Sequence, residues 1–182
     1  MQDVMVDCET LGTIADSVIM SIGAVRFDLD SDQIDDAGFY ASVSIDSNIE
    51  WRRRVQEDTL LWWLKQPLAA QSVFHEPKQT LESALIELSD WFDGDGVRVW
   101  SNGADFDVAM LAHAFKQVGV EVPWRFWNVR CVRTYKNLPQ AKTVSVKREG
   151  THHNALADAV YQAKLVRAIH RVLTPQVRAQ AA

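Results

Sequence analysis

Apolar positions recur along the chain with two periods, which divide it into a strand-rich beginning and a mostly helical remainder. Val4 to Asp7 is short and apolar and runs on into Cys8 and Glu9, while Val18 to Phe27 is a longer run rich in Val, Ile and Met. Both predict strands, with the turn between them near Gly12. Phe39 to Ile45 sets Phe39, Ala41 and Val43 against Tyr40, Ser42 and Ser44, the alternation of a third strand with one wetter face. Three adjacent antiparallel strands follow from this order. Further on, Thr59 to Gln66 carries Leu60, Leu61, Trp63 and Leu64 and stops at Pro67. Leu81 to Phe92 places Leu81, Ala84, Leu85, Leu88 and Trp91 at helical spacing behind Thr80 as N-cap. Val97 to Trp100 predicts a buried strand. Asp107 to Val118 predicts a helix with Leu111, Ala114, Phe115 and Val118 inward and Gly119 as its stop. Pro123 to Arg148 is aromatic and basic and without period. The last helix runs from about Asn154 to Leu173, with Ala155, Ala159, Ala163, Val166, Ile169 and Leu173 along one face. This order predicts an α/β fold, a mixed central sheet flanked by helices.

Composition narrows the class. The chain has 182 residues, 47% of them hydrophobic, which suffices for one compact core. No repeat or linker divides it, so residues 1–182 are expected to form a single domain. No apolar run approaches the roughly 20 residues that span a bilayer, and no membrane association is expected. The start, Met-Gln-Asp-Val-Met-Val-Asp-Cys-Glu, has neither basic residues nor an apolar leader core, so a cytoplasmic location is expected. Cys8 and Cys131 are too few for a disulfide framework or a thiolate zinc site. The net charge of -5 argues against nonspecific binding along a nucleic-acid backbone.

Three places carry candidate chemistry. Asp7 and Glu9 lie two apart on the first strand and therefore on one face. Carboxylates flanked by Val and Met are costly to desolvate unless a cation neutralises them, and a divalent metal would do so. A strand running out into solvent is the plainer alternative. Asp107 opens a helix after Asn102-Gly103-Ala104-Asp105-Phe106, where an ordinary capping aspartate is the competing reading and Asp105 a competing residue. Asp158 falls in the first turns of the last helix. His153, five positions earlier, faces it only if it precedes the helix, which Asn154 as N-cap would allow. Four carboxylates and a histidine at strand ends and helix starts suit the holding of hard divalent ions and the deprotonation of water.

Asp7-x-Glu9, Asn102-Gly103-x-x-Phe106-Asp107 and His153-x-x-x-x-Asp158, in this order and on these elements, resemble the three motifs of the DEDDh, or DnaQ-like, 3′-5′ exonuclease superfamily. That superfamily has a ribonuclease H-like fold. Leu61-Trp62-Trp63-Leu64-x-Gln66 and Pro123-Trp124-x-Phe126-Trp127-Asn128-x-Arg130-Cys131-x-Arg133-Thr134 place the chain nearest the small exonucleases grouped with RNase AS and phage DexA. The resemblance implies a 3′-5′ exonuclease in which Asp7, Glu9, Asp107 and Asp158 bind two divalent ions, Mg or Mn, and His153 is the general base. The neighbouring His152 leaves that last assignment open by one position, and the interval to Asp158 favours His153.

Two divalent cations would bring the formal charge near -1, which removes the objection to binding one strand end. Arg125, Arg130, Arg133, Lys136 and Lys142 are then phosphate candidates, with Lys147 and Arg148 after them. Trp62 is the candidate stacking platform, since adjacent helical tryptophans point about 100° apart and Trp63 reads as core. Leu11, Gly12 and Phe106 are placed to line the pocket for the last nucleotide, and Asn102 is a further substrate-binding candidate. The expected substrate is a single-stranded RNA 3′ end. The alternatives are a single-strand DNA exonuclease, a small-molecule phosphodiesterase or a non-catalytic nucleic-acid-binding module. A homodimer is expected from the resemblance alone, since Val144, Val146 and the tail after Leu173 carry no interface pattern.

Overall fold

A central sheet takes its shape from the strands that the alternation predicts. The computed structural model describes residues 1–35, 37–92, 94 and 96–174; the tail at 175–182 lies outside them. β1 (Asp3–Thr10) pairs antiparallel with β2 (Ile19–Phe27), and β2 with β3 (Phe39–Ser42). β4 (Arg98–Ser101) adds parallel to β1, and β5 (Val129–Cys131) parallel to β4, giving the order β3-β2-β1-β4-β5. The helices are α1 (Ile45–Glu50), α2 (Glu57–Trp63), α3 (Leu81–Trp91), α4 (Asp107–Val118), α5 (Val132–Lys136) and α6 (Ala155–Leu173).

The sheet is covered on both faces. Val4, Val6 and Cys8 of β1 pack with Leu81, Leu85 and Leu88 of α3 and Leu111 and Phe115 of α4. Met5, on the other face, packs with Ala159, Ala163 and Val166 of α6. A strand buried on both sides stops alternating, which is why β1 and β2 read as continuous apolar runs. Thr80 caps α3 by accepting from the Ser83 N–H, and Gly119 ends α4 in the left-handed region at φ 74°. No helix among the described residues is long and apolar enough to cross a membrane.

The sequence pattern and the structure part at α2, which runs Glu57–Trp63 and ends before Pro67 is reached, and in two further places. β3 ends at Ser42 rather than Ile45, because Ser44 accepts from the Ser47 N–H and starts α1. That helix delivers the fully buried Asn48, whose side chain bonds both the N–H and the C=O of Ile19 at 3.0 Å. The stretch from Pro123 to Arg148 contains β5 and α5, elements of three and five residues, too short for either period to show.

Candidate active site

The site lies where β1 runs out from under α6. Asp7 and Glu9 continue the face of Met5, so both point toward α6 rather than toward α3 and α4. Gly23 of β2 pairs with Asp7 across the sheet, and the start of α6 rests directly on it. A Cβ at Gly23 would lie 2.2 Å from the backbone of Ala155 and 2.3 Å from Leu156. This close approach sets Asp158, one turn into α6, beside Asp7 and Glu9. Ligand oxygens of the three carboxylates lie within 4.8 Å of one another.

Asp107 arrives from the other side. It is 3% exposed, and its Oδ1 accepts from the Cys8 N–H at 3.1 Å, which ties the start of α4 to β1. Phe106 holds the cap position, and Asp107, the first residue of α4, is buried. Asp105 is exposed on the preceding turn. Asn154 caps α6 through the Ala157 N–H at 3.0 Å, so His153 precedes the helix. Its backbone takes φ 62°, uncommon for a residue with a side chain, and its N–H donates to Asp158 Oδ2 at 3.2 Å. Its ring meets Trp62 edge-on at 4.9 Å and stacks near His152 at 3.8 Å. The structure brings both imidazoles within reach of Asp158.

The carboxylates share a cleft of about 280 Å³ with Asn102, Phe106, Arg133, Arg148, both histidines and Gln162. A neighbouring pocket of about 440 Å³, bounded by Gly12, Thr13, Asp58, Trp62, Trp63 and Phe106, meets it at Cys8 and Glu9. Of the residues expected to bind substrate, Gly12, Trp62, Asn102, Phe106 and Arg133 border one or both of these spaces. Leu11 does not: its side chain is 2% exposed and packs with Val18, Met20 and Trp63. Arg130 stands apart as well, its Nη1 donating to the carbonyls of Trp127 and Val129 at 2.9 and 3.0 Å. Trp63 is core, and its Nε1 donates to the Thr10 carbonyl at 2.9 Å.

Two contributors went unrecognised in the sequence. Gln162 Nε2 donates to Asp7 Oδ1 at 2.7 Å. It lies four residues after Asp158, on the same helical face, and that spacing was the available signal. Arg148, read only as a phosphate candidate, pairs with Asp158 Oδ1 and lies over the Tyr161 ring at 4.0 Å.

Burial and mutual repulsion hold these groups away from their ordinary ionisation. Burial, then the charges of Asp107 and Glu9, push Asp7 well above the carboxylate range. Glu9 is raised to about 8 by burial and by Asp158 and Asp107. Asp107 is raised to about 7 by burial, against the Cys8 N–H and the Arg133 charge that lower it. Burial and the adjacent His152 lower His153. A cluster of carboxylates that resists ionisation is the donor set a hard divalent cation would satisfy. The Oε1 of Gln162, buried beside Asp7 without a hydrogen-bond partner among the described residues, adds an acceptor to it.

Comparison with solved structures gives the fold, and a family match gives the class. The chain is similar to E. coli Exonuclease I in complex with a dT13 oligonucleotide, at 13% identity and a TM-score of 0.67, covering 98% of this chain and 42% of that one. It is similar also to a moderately thermophilic Exonuclease I from Methylocaldum szegediense, at 12% identity and a TM-score of 0.65, covering 96% and 41%. The chain thus spans about two fifths of the length of those enzymes and shares their ribonuclease H-like exonuclease fold. Residues 2–170 match the 3′-5′ exoribonuclease Rv2179c-like domain, and the chain belongs to that family. The DnaQ-like superfamily expected from the three motifs is thereby confirmed. No curated protein matches the chain.

Proposed function

We propose that the chain is a divalent-metal-dependent 3′-5′ exonuclease that hydrolyses single-stranded ends to nucleoside monophosphates, with RNA ahead of DNA. The observation that carries this reading is the convergence of Asp7, Glu9 and Asp158 within 4.8 Å, with Asp107 in the same cleft. These four carboxylates would hold two ions, Mg or Mn. When bound, such ions supply a water of lowered pKa and stabilise the departing oxygen.

The chain's own residues do the rest. His153, with its pKa lowered, is neutral at pH 7 and accepts a proton from the attacking water at an unprotonated ring nitrogen. Gln162 orients Asp7 and the Cys8 N–H orients Asp107, so the ligand positions are set before substrate arrives. Trp62 and Phe106 offer the terminal base two ring faces, while Asn102 and Arg133 lie on the phosphate side of the cleft. In this reading residues 1–182 act as one domain in the cytoplasm.

RNA is favoured by the family's description as an exoribonuclease domain. Single-stranded DNA is the second reading, favoured by the structural similarity to an exonuclease holding a dT13 oligonucleotide. Hydrolysis of 5′-labelled single-stranded RNA and DNA of one sequence, with Mg, Mn or EDTA, separates them. A ladder shortening from the 3′ end, faster on RNA and absent with EDTA or in Asp107→Ala, supports the proposal. A faster DNA ladder supports the second reading. Binding without cleavage of either strand would leave a non-catalytic module.

A further inference from the structure

The cleft explains how one strand end is held and leaves a large charge asymmetry unexplained. Residues 123–148 contain Arg125, Arg130, Arg133, Lys136, Lys142, Lys147 and Arg148 and no Asp or Glu. This segment therefore carries +7 in a chain of net charge -5, and the remainder carries -12. The fold brings two of these cations, Arg133 and Arg148, to the cleft itself. The chain enters past the buried Trp124, whose ring packs against Phe92 and Phe115, and runs along the sheet edge as β5. It reaches the cleft at Arg133, crosses the α6 side through Val132, Tyr135, Ala141, Val144 and Val146, and returns to the cleft at Arg148. Arg133, Lys136, Lys142, Lys147 and Arg148 are all exposed along that path.

At the end of β5 away from the cleft stand two uncovered rings. Phe126 is 81% and Trp127 61% exposed, edge to face at 4.8 Å, on a 3-10 turn (Phe126–Asn128). The Arg130 guanidinium secures that turn through the Trp127 carbonyl. Trp124, only two residues before Phe126, is buried, so the exposure of the pair is not imposed by a general lack of core at this edge.

We infer that this edge is a track for the body of a single-stranded nucleic acid whose 3′ end occupies the cleft. Phe126 and Trp127 stack bases, and the exposed cations of the segment hold phosphates. The inference rests on the exonuclease reading and extends it to substrate length. The uniform positive charge selects a polyanion, and exposed ring faces accept unstacked bases, which a duplex does not offer. With a rise of about 3.3 Å per residue, β5 itself separates Val129 from Cys131 by about 7 Å, and the turn that carries the rings lies beyond Val129. A substrate must reach at least that far beyond the cleft to touch the rings.

The test compares a twelve-nucleotide single strand with a dinucleotide. In Phe126→Ala/Trp127→Ala the ratio of their kcat/KM values is expected to fall about tenfold, the loss of stacking on one base. In Lys136→Ala/Lys142→Ala, twelve-mer binding followed by fluorescence anisotropy should show a slope of log Kd against log salt smaller by about 1.4. An unchanged ratio together with an unchanged slope overturns the track. A shift in sedimentation from dimer to monomer with neither quantity altered also overturns it, and assigns the surface to the acidic part of a second copy. If the wild type hydrolyses neither substrate, the exonuclease reading fails, and the salt slope still decides whether the track binds single strands.

Discussion

Glu9→Gln should make the metal-free protein more stable at pH 8. Asp7, Glu9 and Asp158 place ligand oxygens within 4.8 Å of one another. At an effective dielectric of about 20, one pair of unit charges at that distance repels by about 3 kcal/mol. Burial, the larger cause, and the charges of Asp158 and Asp107 together raise Glu9 from 4.5 to about 8. Between those two values the native protein holds a proton that the unfolded chain has released, so stability falls as pH rises through that window. The carboxamide keeps the shape and removes the charge. In EDTA at pH 8 the variant should gain about 3 kcal/mol over the wild type, or about 6 to 12 °C in Tm for a chain of this size. At pH 4, where Glu9 is protonated in both states, the two proteins should melt together. Mg or Mn should reverse the order at pH 8 by stabilising the wild type, with its full set of carboxylates, more than the variant. Thermal melts followed by circular dichroism, at pH 4, 6 and 8 with EDTA or metal, measure all of this. A Glu9→Gln variant that is no more stable than the wild type in EDTA at pH 8 would refute the claim that burial and the neighbouring carboxylates oppose the charge on Glu9 in the absence of a cation.

Three further outcomes follow from the site's supports. Gln162→Leu removes the bond to Asp7 and should weaken Mn binding, read by calorimetry, about 10- to 100-fold, with little loss of helix stability. Arg148→Ala frees Asp158 from its ion pair and should tighten Mn binding while raising KM for the strand; weaker Mn binding would contradict the competition. Gly23→Ala drives a Cβ into the backbone of Ala155 and Leu156, so a loss of about 1 to 3 kcal/mol in denaturant unfolding is expected, together with a fall in activity as Asp158 moves away from Asp7.

Much of the site can be read from the sequence because its parts lie at element boundaries that have local signals. Asp107 opens α4 just where the apolar period begins, and Asn154 caps α6 so that His153 precedes it. Asp7 and Glu9 share a face by the period of a strand. Three features were not legible. Gln162 looks like any polar residue on a long helix until the helix is docked against β1. Arg148 reaches Asp158 through a loop with no periodicity. Leu11, adjacent to the motif and apolar, looks like a pocket wall, yet the turn after β1 directs it into the cluster around Trp63. The elements β5 and α5 were hidden for a different reason: three and five residues are less than either period needs to declare itself.

The most direct measurement follows a twelve-nucleotide single-stranded RNA labelled on its 3′-terminal nucleotide, with Mg, in the wild type and in Asp107→Asn. The label is expected to leave in the first turnover as a nucleoside monophosphate, and the substitution is expected to abolish the release while the strand still binds. Release of the label on a longer fragment, or at an equal rate from Asp107→Asn, would contradict the exonuclease reading.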